Sequence, residues 1–329
     1  MVVTGATGFL GAHTVLKFFE DGGFRVRGTV RSKTNAAKID PLKKTLGDYF
    51  DQLELVEADL LDKDSMVAAC AGADFLAHTA SPFYLNVSKE EKEKIIKPAV
   101  DGTVFALEGA KAAGMKRVVI TSSLAAVQCP ATEDEPADGV WKEEHWSNPD
   151  RPQGMHPYLE SKTVAERAAW KFVDDLPDGE KIDLITIQPC FILGPAYQTE
   201  AFTSGEIFSK TLTGATDPVP HGYMGIVDVR DVAQAHVLSI KVDAAKGHRV
   251  FTWNGSHSRI SINKILHEKF AGDGWPICIN EGPETDAKPS KIDVSPSTDI
   301  LGLKYTDAAD TFISMAQSMI DSGFVKKPE

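Results

Sequence analysis

Val2-Val3-Thr4-Gly5-Ala6-Thr7-Gly8-Phe9-Leu10-Gly11 opens with a short apolar strand, passes through a glycine-rich turn and enters an apolar-periodic helix. The helix is predicted from Phe9 to about Phe19, closed by Asp21-Gly22-Gly23. Strand, glycine-rich turn and helix in this order set a pyrophosphate against backbone N–H groups at a helix N-terminus. Glycine is needed where the backbone must touch a phosphate or turn tightly. The spacing here is G-x-x-G-x-x-G, not G-x-G-x-x-G. The reading is a nucleotide site at Gly5, Thr7, Gly8, Phe9, Leu10 and Gly11; the alternative is a turn without a ligand.

Further strands are predicted at Arg25–Val30, Leu53–Ala58, Asp74–His78, Arg117–Thr121 and Asp183–Gln188, with helical patterns between them. Such alternation argues for an α/β fold, a Rossmann-type doubly wound parallel sheet with right-handed crossovers. Ser88 with Glu91 forms a capping box, and Pro98 is expected to kink the helix that follows. Regularity falls after Pro189-Cys190. Residues 1–190 are therefore read as a nucleotide-binding domain, rejoined by about 223–253. Residues 191–222 and 254–329 form a smaller C-terminal substrate lobe. A last helix is predicted from about Asp307 to Ser322.

Strand two ends at Arg31, about twenty residues past Gly11, where NAD enzymes place an acid on the ribose. A cation there suits the 2′-phosphate of NADP; the alternative is a solvated basic loop. Residues 128–157 read as a long polar loop, and loops of this length usually serve a site. Trp141 and Trp146 are read as anchors of that loop. Tyr158-Leu159-Glu160-Ser161-Lys162 places a phenol and an ammonium one turn apart on one helix face. A neighbouring ammonium lowers a phenol's pKa from its usual value of about 10. The pair is then an acid/base device for a carbonyl or an alcohol, although Tyr-x-x-x-Lys also arises by chance in helices.

The chain has 329 residues, a net charge of −12, 42% hydrophobic and 25% charged residues, as in soluble globular proteins. The negative charge argues against nucleic acid or an anionic membrane as partner. No apolar run reaches membrane-spanning length. Cys70, Cys129, Cys190 and Cys278 form no close pairs, so no metal site is expected and free thiols in the cytoplasm are.

Taken together, Thr4 to Gly11, Asp59-Leu60, Thr121-Ser122-Ser123, Tyr158-x-x-x-Lys162 and Val227 to Ala233 occur in the order of the extended short-chain dehydrogenase/reductases, which the chain resembles to roughly residue 240. Val26 to Arg31, His78 to Phe83, Pro98 to Thr103 and Ala168 to Phe172 are similar to one branch of it. That branch holds dihydroflavonol 4-reductase, cinnamoyl-CoA reductase and the yeast methylglyoxal/isovaleraldehyde reductase. The Asn-Trp-Tyr-Cys run of the plant cinnamoyl-CoA reductases is absent; the positions read Gly154-Met155-His156-Pro157-Tyr158, which argues against an acyl-CoA substrate.

The resemblance implies a catalytic Ser123, with Ser122 as the competing choice, Tyr158 as acid/base and Lys162 as its activator and ribose ligand. It implies that Arg31 and Lys38 hold the 2′-phosphate, Asp59 and Leu60 meet the adenine, Thr79 lines the cofactor site and Pro189 begins the segment over the nicotinamide. The expected activity is NADPH-dependent reduction of a small carbonyl compound by a monomer or homodimer. A substrate pocket is expected from Phe83, Tyr84, Gln128, Phe191 and Tyr223. Two other readings stay open: a nucleotide-sugar epimerase or dehydratase of the same family, and a regulator that binds NADP without turning it over. Between Phe191 and Tyr223 only Lys210 and His221 could meet a diphosphate, which favours the reductase.

Overall fold

The structure, a computed structural model, describes residues 1–81, 91–128, 135–150 and 154–328. Seven strands form the central sheet: β1 (Val2–Thr4), β2 (Arg27–Val30), β3 (Glu54–Glu57), β4 (Phe75–His78), β5 (Arg117–Thr121), β7 (Asp183–Pro189) and β10 (Arg249–Thr252). Their order is β3-β2-β1-β4-β5-β7-β10, and every neighbouring pair is parallel. The predicted strands stand within two residues of their expected bounds, the usual uncertainty where ladder bonds run out, while β10 has no predicted counterpart.

Successive strand residues point to opposite faces, and both faces are covered, so the middles of the central strands β1, β4, β5 and β7 are mostly apolar. Val3, Ala77, Val119 and Ile185 pack against α1 (Phe9–Asp21), α2 (Ala36–Leu46) and α7 (Val229–Lys241). Their neighbours Val2, Leu76, Val118 and Leu184 pack against α3 (Lys63–Cys70), α4 (Glu93–Ala112) and α5 (Pro157–Asp174). Pro98 lies inside α4 without dividing it, while Ser88 of the expected capping box falls outside the described residues. Because the chain leaves β1 toward β2 on one side and β4 lies on the other, the sheet opens a crevice at the carboxyl end of β1.

Beyond β7 the chain builds a second, smaller sheet. In it β9 (Tyr223–Asp228) pairs in parallel with β8 (Phe191–Leu193) and antiparallel with β11 (Ser256–Ser258). Leu193, Phe208, Leu212, Ile226, Leu266, Phe312 and Met315 fill a separate core under this sheet, with α6 (Thr203–Leu212), α8 (Arg259–Phe270) and α9 (Ala308–Asp321). Asp307 caps α9 through the N–H groups of Ala309 and Asp310. The polar loop after β5 is pinned by β6 (Val140–Trp141), which pairs with β12 (Lys291–Ile292). Trp141 is buried against Phe251 and Ile292, and the Trp146 ring lies 3.7 Å from the Arg249 guanidinium. Both tryptophans therefore anchor the loop. Among the described residues no helix is long and apolar enough to cross a membrane.

Candidate active site

The turn from β1 into α1 is made for close approach. Gly5 has φ +69°, its N–H donates to Thr29 Oγ1 at 3.1 Å, and its carbonyl accepts from Gly8 N at 2.9 Å. A Cβ on Gly11 would lie 2.1 Å from that same carbonyl oxygen, so only hydrogen fits there. Gly8 is the N-cap of α1 and supplies no side-chain cap, which leaves the first N–H groups directed outward. The turn borders a groove of about 510 Å³ lined by Gly5, Thr7, Gly8, Asp59, Leu60 and Thr79 among others. Arg31 and Lys38 complete its far end. Thr79 is held by a 2.6 Å hydrogen bond from its hydroxyl to Thr4 O. Lys38 Nζ is 2.7 Å from Glu200, which comes from the segment after β8.

Thr79 and Ser81 are shared with a second cavity, of about 720 Å³, between the two sheets. This chamber is where Phe9, Leu10 and Pro189 lie, together with Ser123, Tyr158, Lys162, Gln128 and Phe191. Tyr158 is the second residue of α5, whose start is fixed by Pro157 and by His156, whose Nδ1 accepts from Tyr158 N at 3.2 Å. The Ser123 side chain stands by the Tyr158 hydroxyl and favours its ionised form. Lys162, one turn on, is 8% exposed; its Nζ donates to Ser81 Oγ at 2.7 Å and stands 5.9 Å from the Tyr158 ring centre. Gln128 Nε2 donates to Ser290 Oγ at 2.9 Å across the chamber.

The two serines at the end of β5 part company. Ser122 is buried and donates to Glu166 Oε2 at 2.5 Å, while Ser123 turns to Tyr158 and accepts from Ala125 N at 3.1 Å. A one-residue step along an extended chain reverses the side-chain direction, so Ser122 is engaged by Glu166 while Ser123 faces Tyr158, although both serines line the chamber.

The electrostatics differ from the expectation in one respect. Burial raises the Tyr158 pKa, and the Ser123 side chain offsets only part of the rise. Burial alone lowers the Lys162 pKa to about 8. The ammonium does not depress the phenol's pKa, because Lys162 is directed to Ser81 and is itself desolvated. At neutral pH the pair is thus a protonated phenol beside an amine that is mostly charged.

Tyr223 departs from the expected pocket. It is 39% exposed, sits edge-on to His221, and does not line the chamber. Tyr223 is the first residue of β9 and shares a strand face with Gly225, but it lies beyond the chamber, whose wall Gly225 reaches. Phe83, Tyr84 and Cys129 lie outside the described residues. The chamber is also lined by Cys190, Phe202, Ile207, Trp253 and Ser290, which stand outside the expected pocket set. The apolar residues after Phe191 were a signal for two of them; nothing local marks Trp253 or Ser290. Phe191 and Ile207 in addition wall off a side cavity of about 290 Å³, where Lys210 is joined by Arg259 from the start of α8.

A model of the 3-beta hydroxysteroid dehydrogenase/isomerase family matches residues 2–250. Cinnamoyl-CoA reductase CAD2 of Medicago truncatula is 33% identical over 338 residues, covering 98% of this chain and 96% of that protein. Yeast methylglyoxal/isovaleraldehyde reductase Gre2, solved with NADPH, is 26% identical with a TM-score of 0.83, covering 98% of this chain and 99% of its own. Gre2 from Candida albicans, also solved with NADPH, gives 29% and 0.82 with 98% of each chain covered.

Proposed function

The chain belongs to the 3-beta hydroxysteroid dehydrogenase/isomerase family, among the extended short-chain dehydrogenase/reductases, and on that premise we propose that Ser123, Tyr158 and Lys162 reduce an aldehyde or ketone to an alcohol. It is an NADP-dependent oxidoreductase, like the reductases it is similar to. The observation that carries the proposed site is the meeting of Ser123, Tyr158 and Lys162 in one chamber that adjoins the nucleotide groove.

The groove fits the cofactor. The uncapped start of α1 and the bare Gly11 receive the pyrophosphate, and Arg31 with Lys38 receive the 2′-phosphate. Asp59 and Leu60 flank the adenine, and Thr79 and Pro189 lead toward the nicotinamide. Bound NADPH supplies the hydride. Ser123 Oγ and Tyr158 Oη donate hydrogen bonds to the carbonyl oxygen, where negative charge grows. The raised Tyr158 pKa keeps the phenol protonated near neutrality, the form a reduction needs in its proton donor. Lys162 opposes the tyrosinate charge as that proton leaves and holds the nicotinamide ribose. Residues 1–190 with 223–253 thus carry the cofactor, and 191–222 with 254–329 close over the substrate. Gln128, Phe191, Phe202, Ile207 and Trp253 give the carbonyl compound a mostly apolar slot with one amide. The cytoplasm suits an enzyme with free thiols at Cys70, Cys190 and Cys278.

One observation favours a second reading. Lys210 and Arg259 at the side cavity could receive a phosphate-bearing tail, as an acyl-CoA substrate carries. NADPH oxidation with an aryl or branched aliphatic carbonyl, methylglyoxal, cinnamoyl-CoA and a nucleotide sugar tests both. The simple carbonyls are expected to give the highest kcat/KM. Preference for cinnamoyl-CoA would favour the second reading, and preference for the nucleotide sugar would overturn both.

A further inference from the structure

Beside Lys162 lies a small cavity of about 20 Å³, lined by Lys162, Ser81, His78, Thr121, Ser122 and Glu166 among others. Its volume suits a single water, and its wall offers the several polar partners such a water needs. Glu166 is the hub on the far side. Its Oε2 accepts from Ser122 Oγ at 2.5 Å; its Oε1 accepts from Arg249 Nε at 2.6 Å, Gln188 Nε2 at 2.8 Å and Thr186 Oγ1 at 3.1 Å. Arg249 in turn donates to the carbonyls of Glu143 at 2.7 Å and His145 at 2.5 Å. One carboxylate therefore ties the helix that carries Tyr158 and Lys162 to the strand end that carries Ser123.

A buried ion pair is weak grounds for stability, because apolar replacements are often as stable. The place of this one suggests another use. Glu166 is one turn below Lys162 on the same helix face. The other groups around the cavity carry little opposing charge. His78, and His236 behind Thr121, are held neutral by burial, and Tyr158 is a neutral phenol. Arg249 is the second cation, on the side of Glu166 away from Lys162, with Glu143 and His145 beyond it. Glu160 on α5 is paired with Lys92 instead. Glu166 is the one anion among the described residues that line the cavity.

We propose that Glu166 is a positioning residue of the carbonyl site. Through Ser122 it fixes Ser123 against Tyr158, and across the one-water cavity its charge keeps Lys162 in the ammonium form. This rests on the reductase reading above, so wild-type carbonyl reduction is measured first; an inactive wild type would sink that reading, whereas an active one isolates the inference.

The experiment compares kcat and kcat/KM from about pH 6 to 10 for wild type, Ser122→Ala, Glu166→Gln and Glu166→Asp. Without the carboxylate the ammonium is less favoured, so the alkaline limb of the Glu166→Gln profile should move to lower pH by half a unit or more, roughly. Glu166→Asp keeps the charge and should leave that limb in place. Ser122→Ala should lower kcat roughly threefold or more, with carbonyl KM and NADPH binding unchanged. A Glu166→Gln limb at the wild-type position, or wild-type kcat in Ser122→Ala, would overturn the proposal. If Glu166→Gln fails to fold, the Ser122→Ala kcat decides alone.

Discussion

The nucleotide groove and the carbonyl chamber share Thr79 and Ser81, yet they are built in opposite ways. All the groove's lining residues fall within the first 81, most of them at or just beyond the carboxyl ends of β1 to β4. Its chemistry is mostly backbone: a left-handed glycine, an uncapped helix start and a carbonyl that forbids a Cβ on Gly11. The chamber draws on residues from Phe9 to Ser290, and its chemistry is all side chain. A phosphate is the same in every dinucleotide and needs only fixed N–H groups. A carbonyl substrate varies, and its walls come from whichever loops the fold brings together.

Both halves lean on buried neutral imidazoles, so acid should break them together, with the largest effect expected here. His78 bonds to Thr4 under the groove, His236 accepts from Thr121 at the chamber end, and His13 donates to Pro195 O between them. Burial lowers His78 to about 3, and His13 and His236 to about 4. Unfolded, each titrates near 6.5, so the unfolded chain takes up protons first as pH falls. The stability they contribute is whole above about pH 6.5 and is lost as pH drops toward 4, on the order of 3 kcal/mol for each. Asp231, whose pKa burial raises, opposes this as a single group. Melting temperature followed from pH 7 to pH 4 should fall steeply; a flat curve would mean that these histidines are not buried as described.

Kinetics should separate what acid joins. Tyr158→Phe removes only the chamber's proton and is expected to lower kcat by roughly 10² or more. NADPH affinity should stay near wild type. A Phe variant that turns over at close to the wild-type rate would remove Tyr158 from its proposed role.

Arg31→Ala is the converse. Losing a charge-assisted contact to the 2′-phosphate should cost roughly 1.5–3 kcal/mol, about ten- to a hundredfold in the NADPH dissociation constant. NADH affinity and kcat at saturating NADPH should hold. Equal wild-type affinities for NADPH and NADH, by fluorescence titration, would contradict the role of Arg31.

The same contrast explains what could be read from the amino-acid sequence. The groove is local, so Gly5 to Gly11 and Arg31 were legible by type and spacing. The sheet was legible too, because doubly covered parallel strands are continuous apolar runs. Ser123 and Tyr158 came from ordered motifs, whereas the hydrogen bond that engages the neighbouring Ser122 with Glu166 could not be read there. The side-chain partner of Lys162 was not legible either, since Ser81 is far away in sequence. Tyr223 shares a face of β9 with Gly225 but stands at the exposed start of the strand, outside the chamber lining, and only the tertiary structure reveals how far along the strand the chamber reaches. Trp253 and Ser290 enter the chamber only through tertiary packing.

The smallest effect should come from Gln128, and it tests whether the chamber's polar tip belongs to the substrate or to the fold. Gln128 Nε2 already donates to Ser290 Oγ, so the loop after η-turn residues 124–126 is joined to the segment before β12 across the chamber. A carbonyl compound that bonds to this amide must share or displace that contact. The net worth of such a bond is roughly 0.5–1.5 kcal/mol, or a few- to tenfold in KM. Gln128→Leu keeps the volume and deletes the amide. If the amide serves the substrate, KM should rise by that factor for carbonyls with a second oxygen, such as methylglyoxal, and hold or fall for a purely apolar aldehyde, whose slot becomes drier. If it serves the fold, both KM values should shift alike and the melting temperature should drop with them. Steady-state KM for the two substrates, read beside a melt of the same sample, distinguishes the outcomes. A differential KM with an unchanged melt would make Gln128 the chamber's counterpart of Arg31: a side chain that selects among ligands without holding the protein together.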